Sequence, residues 1–441
     1  MTQDFPELRC IVPKYFDPTT LPYYMKRHHW KYQMFVHIML LNTMKGNKKG
    51  RRKFTAEIPL SYRLLDKFFG SHYVDKIIKS LVAGKVIRRV NNKSIVGMMS
   101  KRYAFCEGVM DFGVRPINIE KYTIRRKIGM YRDQHLRDLH KGNEYIRHEF
   151  EKLTELIFDQ EAATQYINDT YEEGSPEHTS RMINIIEASK MAETSFSDDM
   201  YKMDWVFKID SGGRWHTPVS TMAKDLRAKF LRTPDGEELC EIDQACSHPT
   251  FAYLFQLEFA ANLRREMQDD GTASIEERHH IFRKPKASIK VDHKWKANIF
   301  SGQIYQELIR ALKWKGSYDE FKIALFKNVY YNEYRANLTD MEVAFQHYFP
   351  NEFEWLRHAK RILGNKGYCK QVTRYESKFW HASVQRIMRN NFRFITYAII
   401  HDSILVPAHM TEEIKQKLEY KITEFFGGLT PTLRIKNNGE D

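Results

Sequence analysis

Residues 394–406 read FITYAIIHDSILV, two apolar and largely β-branched runs on either side of His401-Asp402-Ser403. Short runs of this composition make strands, and the polar tripeptide between them makes a tight hairpin with an acid at its tip. A second run of the same kind, Leu239-Cys240-Glu241-Ile242-Asp243, also ends on an aspartate and leads through QACSHP into a helical stretch over 250–259. A carboxylate at the end of an apolar strand is costly to desolvate unless something pairs with it. Two of them on neighbouring strands would form a cage of hard oxygen donors suited to Mg²⁺, with room left for water and phosphate. Two metal ions held in this way can activate an attacking 3′-hydroxyl and stabilise a departing pyrophosphate.

Between the two acids lies the segment 318–337, YDEFKIALFKNVYYNEYRAN. Lys322, Phe326 and Tyr330 recur every four residues, so a single helical face would show a lysine followed by two aromatic rings. That face suits an incoming nucleotide, the ammonium meeting the triphosphate and the rings abutting base and sugar. The surrounding composition agrees. Over 441 residues, 70 Lys+Arg against 56 Asp+Glu give a net charge of +14, which favours polyanionic partners. With 42% hydrophobic and 13% aromatic residues, a chain disordered throughout is excluded. The five cysteines (Cys10, Cys106, Cys240, Cys246 and Cys369) contain no C-x-x-C pair, so free thiols in a reducing, cytoplasmic setting are expected. No apolar run approaches the ~18 residues of a membrane span, and the first ten residues do not read as a signal peptide.

The amino-terminal part has a different character. Residues 45–53 (KGNKKGRRK) are strongly basic. Ser61 can cap a short helix with Leu64, Leu65 and Phe68 on its apolar face, ended by Gly70. Residues 72–83 carry Val74, Ile77, Ile78, Leu81 and Val82 at helical spacing, and Gly84 stops that helix. Residues 86–90, the turn Asn91-Asn92 and residues 95–105 read as a hairpin. Helix, turn, helix and basic hairpin follow the order of a winged helix-turn-helix, which this segment resembles. Its second helix would offer Lys76 and Lys79 to DNA, and its wing Arg88, Arg89, Lys93, Lys101 and Arg102. From 118 to about 202 the chain reads as long helices, broken at Gly174-Ser175-Pro176.

The order of acid, lysine–aromatic helix and His-Asp hairpin resembles motifs A, B and C of the DNA polymerase I family and of the related single-subunit phage-type RNA polymerases. Motif B of that family is R-x-x-x-K-x-x-x-F/Y-x-x-x-Y-G; Lys322, Phe326 and Tyr330 match it, while Tyr318 replaces the arginine and Tyr331 the glycine. Gly213-Arg214 with TPVSTMAKDLR over 217–227 is similar to the family's T-G-R-L-S-S-x-x-P-N-L-Q, and QVTRYE over 371–376 to its Q-G-T-A-A-D. The likeness spans roughly 212–407. It implies an α+β right-hand polymerase: an antiparallel palm sheet and helical fingers over 204–441, behind a winged-helix-like domain over 1–115 and a helical connector or thumb-like region over 116–203. Asp243 and Asp402 would hold two Mg²⁺ ions, with Mn²⁺ as a substitute. Lys322, Phe326, Tyr330 and His248 would line the nucleotide site. Arg214, Arg227, Gln371 and His401 would touch the primer–template. The missing motif B arginine would be replaced by Lys313, Lys315 or Lys327.

The sugar is the open point at this stage. His248 stands where many DNA-making members carry glutamate, while Cys246-Ser247 and His401-Asp402-Ser403 resemble the phage-type RNA polymerases. Phe326 and the modest length favour DNA. The expectation is therefore a template-directed DNA polymerase of a phage, plasmid or other mobile element. Nothing in the first 200 residues resembles the spaced acids of a proofreading exonuclease. The alternatives are a small RNA polymerase or primase, and a non-catalytic DNA-binding replication initiator.

Overall fold

A computed structural model describes residues 8–46, 57–60, 62–90, 101–126, 144–192, 208–268, 293–334 and 337–436. The chain sorts into two compact units. The first comprises Met1–Ile146, Leu153–Val206 and Thr221–Pro234; the second comprises Arg147–Lys152, Phe207–Ser220 and Asp235–Asp441. Both mix helix with small antiparallel sheets, so the chain is α+β. Among the described residues no helix is long and apolar enough to cross a membrane.

In the first unit the elements run β1 (Leu8–Pro13), α1 (His29–Gly46), β2 (Ile58–Pro59), α2 (Tyr62–Phe69), α3 (Ser71–Ala83), β3 (Ile87–Arg89), β4 (Arg102–Phe105) and β5 (Val114–Ile119). Helices α4 (Gln160–Thr170) and α5 (Pro176–Ala192) follow. Val74, Ile77, Ile78 and Leu81 of α3 are buried in one cluster with Phe35, Phe69 and Phe105, as their helical spacing requires. β3 and β4 pair antiparallel, Ile87 opposite Phe105. The sequence reading overlooked β2, which adds to the hairpin as an edge strand in the order β2-β4-β3; an edge is where Pro59 is tolerated. Glycine at the C-cap position 84 is required by space and not by a left-handed backbone. The left-handed residue there is Lys85 (φ 56°), whereas a Cβ on Gly84 would collide with Leu21. Ser61, the Asn91-Asn92 turn, Lys93 and most of the basic tract over 45–53 lie outside the described residues.

The stretch expected to be helical from 118 is so only in part. Asn118 and Ile119 close β5 against β1, residues 122–126 are helical, and the next described helix begins at Glu144. Gly174 in the expected break takes φ 84° and lies against the Asp111 backbone, just ahead of α5. The unit boundaries differ from those expected at 115 and 203. Leu231–Arg232 pairs with Ile157–Phe158 and Asp225 meets Arg181 at 2.7 Å, so 221–234 join the first unit. His148 bonds the Tyr397 hydroxyl at 3.0 Å and Glu149 accepts from Gln385, so 147–152 join the second.

The second unit is built on β6 (Leu239–Gln244), α6 (Ser247–Gln268), α7 (Tyr318–Leu325), α8 (Pro350–Lys378), β7 (Ala398–Ile400), β8 (Ser403–Pro407), α9 (Thr411–Phe425) and β9 (Leu433–Lys436). Its sheet runs β7-β8-β6-β9, all antiparallel. The register places Ile399 opposite Ile404, Ile404 opposite Ile242, and Ile242 opposite Ile435, a row of four isoleucines across four strands. Ile242, Ile399 and Ile404 are buried in the core with residues of α6, α8 and α9. Because side chains alternate, the opposite face of the same strands carries Ser403, Glu241, Asp243, Arg434 and Lys436. Replacing Ile242 by alanine should remove roughly 2–5 kcal/mol of stability. Denaturant unfolding followed by tryptophan fluorescence would measure this, and a loss below about 1 kcal/mol would mean that the row is not the clamp on this register.

Candidate active site

The hairpin register brings the two aspartates together. Asp243 lies opposite Ser403 and opposite Arg434, and the Gln244 N–H donates to the Asp402 carbonyl at 3.2 Å. Asp402 occupies the second position of a two-residue turn between β7 and β8. His401, the first position, has φ 54°. Glycine is the residue that takes this conformation freely, so the histidine carries strain of order 1–3 kcal/mol. Cys246, just before α6, is likewise left-handed at φ 56°. Both carboxylate-bearing segments thus end in strained backbone.

The electrostatics follow from this crowding. Burial and the nearby charge of Asp402 raise the Asp243 carboxyl well above its usual range, opposed by Lys436, whose ammonium lies 2.5 Å from Asp243 Oδ2. Burial and the Glu376 carboxylate raise Asp402, opposed by Arg214 and Lys322. Glu376, itself buried, holds Arg214 at 2.6 Å and accepts from the Ser247 hydroxyl at 3.3 Å. His401 stays neutral, pushed down to about 4 by burial and by Arg214. Its ring lies 5.5 Å from that of His216, which meets Asp210 at 3.2 Å.

A wall of rings adjoins the carboxylates. His248, in the first turn of α6, lies 5.0 Å from Tyr330, 5.2 Å from Phe326 and 5.6 Å from Tyr331 between ring centroids. Burial takes His248 down to about 3, and neither of its ring nitrogens has a hydrogen-bond partner among the described residues. The Tyr330 hydroxyl is buried and unpartnered in the same sense. Lys322 is exposed at one edge, its ammonium 5.8 Å from the Tyr305 ring. The expected four-residue spacing is corrected here. α7, started by a capping box of Ser317 and Glu320, is α-helical only to Leu325; residues 326–330 form a π-helical turn that carries Phe326 and Tyr330 and ends the helix.

The other predicted residues sort as follows. Gln371 is half-buried on α8, five residues before Glu376, and nothing among the described residues ties it to the aspartates. Arg227 falls in the first unit, where its guanidinium donates to the Met222 carbonyl at 3.4 Å. Lys76 and Lys79 are exposed on α3, Lys76 bonded to His72 at 2.8 Å and Lys79 over the Tyr23 ring at 4.6 Å. Arg88 and Arg89 are exposed on β3, Arg89 reaching 6.0 Å from Tyr103. Sequence reasoning missed Lys436 and Arg434, although the alternation in LRIK was a strand signal, and it quoted Glu376 without seeing its role.

Set against known proteins, the chain matches no family model and no curated sequence. The chemistry is therefore argued from the residues themselves. Among the described residues no cluster of three or more His, Cys, Asp and Glu side chains converges on one point. A hard cation would have Asp243 and Asp402 as its side-chain ligands, with water and substrate oxygens completing the shell, a pattern Mg²⁺ accepts. The pair fits such an ion: both half-buried carboxylates are raised, Asp243 by burial and Asp402, Asp402 by burial and Glu376, and Asp243 already attracts an ammonium.

A carboxyl raised on folding binds more protons in the native state than in the unfolded state. The metal-free protein therefore loses stability as pH rises from the ordinary carboxylate range through the raised one. Asp402→Asn removes the larger part of this loss, leaving what burial of Asp243 contributes. In a chelator at neutral pH the variant should melt higher than wild type, with the gap closing in acid. Mg²⁺ should raise the melting temperature of wild type only. Equal melting of the two proteins at neutral pH would refute this account of the pair.

Proposed function

We propose that this protein is a template-directed nucleotidyltransferase of the right-hand polymerase type, related to the DNA polymerase I family and favouring DNA synthesis. The observation carrying this reading is the meeting of Asp243, on β6, with Asp402, in the turn that leads into the adjacent strand β8, beside an aromatic wall and a lysine supplied by the helix between them in sequence. When bound between those aspartates, Mg²⁺ would supply the positive charge that makes a 3′-hydroxyl nucleophilic and pyrophosphate a better leaving group. The chain's own groups set the rest. Lys322, exposed and close enough to influence Asp402, would meet the triphosphate. The sugar would lie against Tyr330 and His248, where a neutral, desolvated imidazole leaves little room for water. Arg214, fixed by Glu376, would face the primer–template backbone.

In the first unit, α3 and the β3–β4 hairpin support a winged-helix reading, with Lys76, Lys79, Arg88 and Arg89 directed to duplex phosphates. The mobile-element setting rests on this pairing of a compact polymerase with a DNA-binding module, by association.

Primer extension with dNTPs and rNTPs, with and without template and Mg²⁺, tests the reading. Asp243→Asn and Asp402→Asn should each abolish nucleotide addition while leaving DNA binding intact. Residual activity within about tenfold of wild type, or about 1.4 kcal/mol of barrier, would remove that aspartate from the site. His248→Ala should raise rNTP incorporation by about tenfold while dNTP addition persists, since a 2′-hydroxyl would no longer meet a closed wall. A wild-type preference for rNTPs that this substitution weakens would instead make His248 a hydroxyl reader and the enzyme an RNA polymerase or primase.

Changing Lys76, Lys79, Arg88 and Arg89 together to alanine should weaken duplex binding and flatten its salt dependence by up to about four phosphates' worth of slope. An unchanged slope would show that this face does not touch DNA.

A further inference from the structure

The π-helical turn that carries Phe326 and Tyr330 ends abruptly, and its last carbonyls need donors. The carbonyls of Val329, Tyr330, Tyr331 and Asn332 find donors on one helix. Lys360 Nζ donates to the Val329 carbonyl at 2.5 Å, the Asn332 carbonyl at 3.2 Å and the Asn332 side-chain oxygen at 2.6 Å. Asn365 Nδ2 donates to the Tyr331 carbonyl at 2.7 Å, and the Cys369 thiol reaches the Tyr330 carbonyl at 3.7 Å. Three side chains of α8 thus cap four successive residues.

They can do so because α8 is kinked. Gly364, with φ 68° and ψ 162°, breaks its helical path between Lys360 and Asn365. The two arms thereby reach the same short target. Lys360 is only 3% exposed, and an ammonium buried to that degree is costly. Burial draws its pKa down to about 8, with Cys369 and Glu342 countering and Arg357 adding to the fall. The charge is retained at neutral pH, where three oxygens of Val329 and Asn332 accept from it.

The turn also has an unusual register. Tyr331 N–H bonds the Phe326 carbonyl at 2.7 Å, five residues back, which rotates Tyr330 and Tyr331 away from where an α-helix would aim them and towards His248. The geometry points to Lys360, with Asn365 and Cys369, as positioning residues that hold this π register from behind and so set nucleotide affinity and sugar selectivity at the Tyr330–His248 wall. This inference rests on the nucleotidyltransferase reading for its substrate. The clamp itself does not.

The test compares Lys360→Met, Lys360→Arg and Asn365→Ala in the full chain. Amide hydrogen exchange over 326–332 should quicken at least about fivefold in Lys360→Met while β7 and β8 keep their protection, a change that needs no activity. In nucleotide addition, the KM for the triphosphate should rise about tenfold with kcat changing less, dNTP-over-rNTP preference should fall, and Lys360→Arg should restore much of both. Asn365→Ala should give the same pattern more weakly, and it carries the test should Lys360→Met fail to fold. Unchanged exchange over 326–332 overturns the clamp. Faster exchange with unchanged KM and sugar preference overturns the positioning role and leaves only a structural contact. If the wild-type chain adds no nucleotide at all, the nucleotidyltransferase reading fails, and the exchange result alone decides the clamp.

Discussion

The second unit depends on the register of one small sheet, and the register depends on a row of isoleucines. Ile399, Ile404, Ile242 and Ile435 stand opposite one another across four antiparallel strands. In a strand the side-chain period is two, so a slip of one residue would bury Asp243 in the core and expose Ile242. Hydrophobic burial, which is not directional, thus fixes a directional result: the carboxylates of Asp243 and Asp402 are neighbours on the opposite face. The raised Asp243 carboxyl follows in part from that proximity.

The site is also where the fold works against itself. Two half-buried acids are both raised, a histidine occupies a left-handed turn position, and two ring nitrogens of His248 are buried without partners among the described residues. Compensation comes from charges arranged around the pair. Lys436 meets Asp243, while Arg214, tied to Glu376, and Lys322 offset Asp402. Local cost concentrated at one place in an otherwise well-packed unit is what a functional site looks like on physical grounds.

Much of this was legible in the sequence where local pattern decides structure. The apolar runs around His401-Asp402 and before Asp243 became the expected strands, and the helices over 62–69 and 71–83 follow their apolar spacing. The grouping of His248, Phe326 and Tyr330 was also anticipated. What escaped was either non-local or a departure from regular periodicity. Nothing near Lys436 in sequence announces its pairing with Asp243, and Arg214–Glu376 is no more local. The π turn and the kink at Gly364 break the spacing on which helical readings rest. Arg227 belongs to the first unit and not to the expected domain over 204–441, because motif order along a chain does not say which core a short helix joins.

The distances along the chain bear on how such a site comes into being. Lys436 and Asp243 are 193 residues apart, Arg214 and Glu376 162, and Ser247 and Glu376 129. The β7–β8 hairpin is local and can close within microseconds, yet it carries only Asp402. The strand bearing Asp243 joins β8 only after a loop of some 160 residues has closed, a step whose entropy must be met before any contact rewards it. The two carboxylates therefore come together late in folding, after the helices between them have had time to form. A half-folded chain would hold a hairpin and several helices but no acid pair, because the two strands have yet to meet.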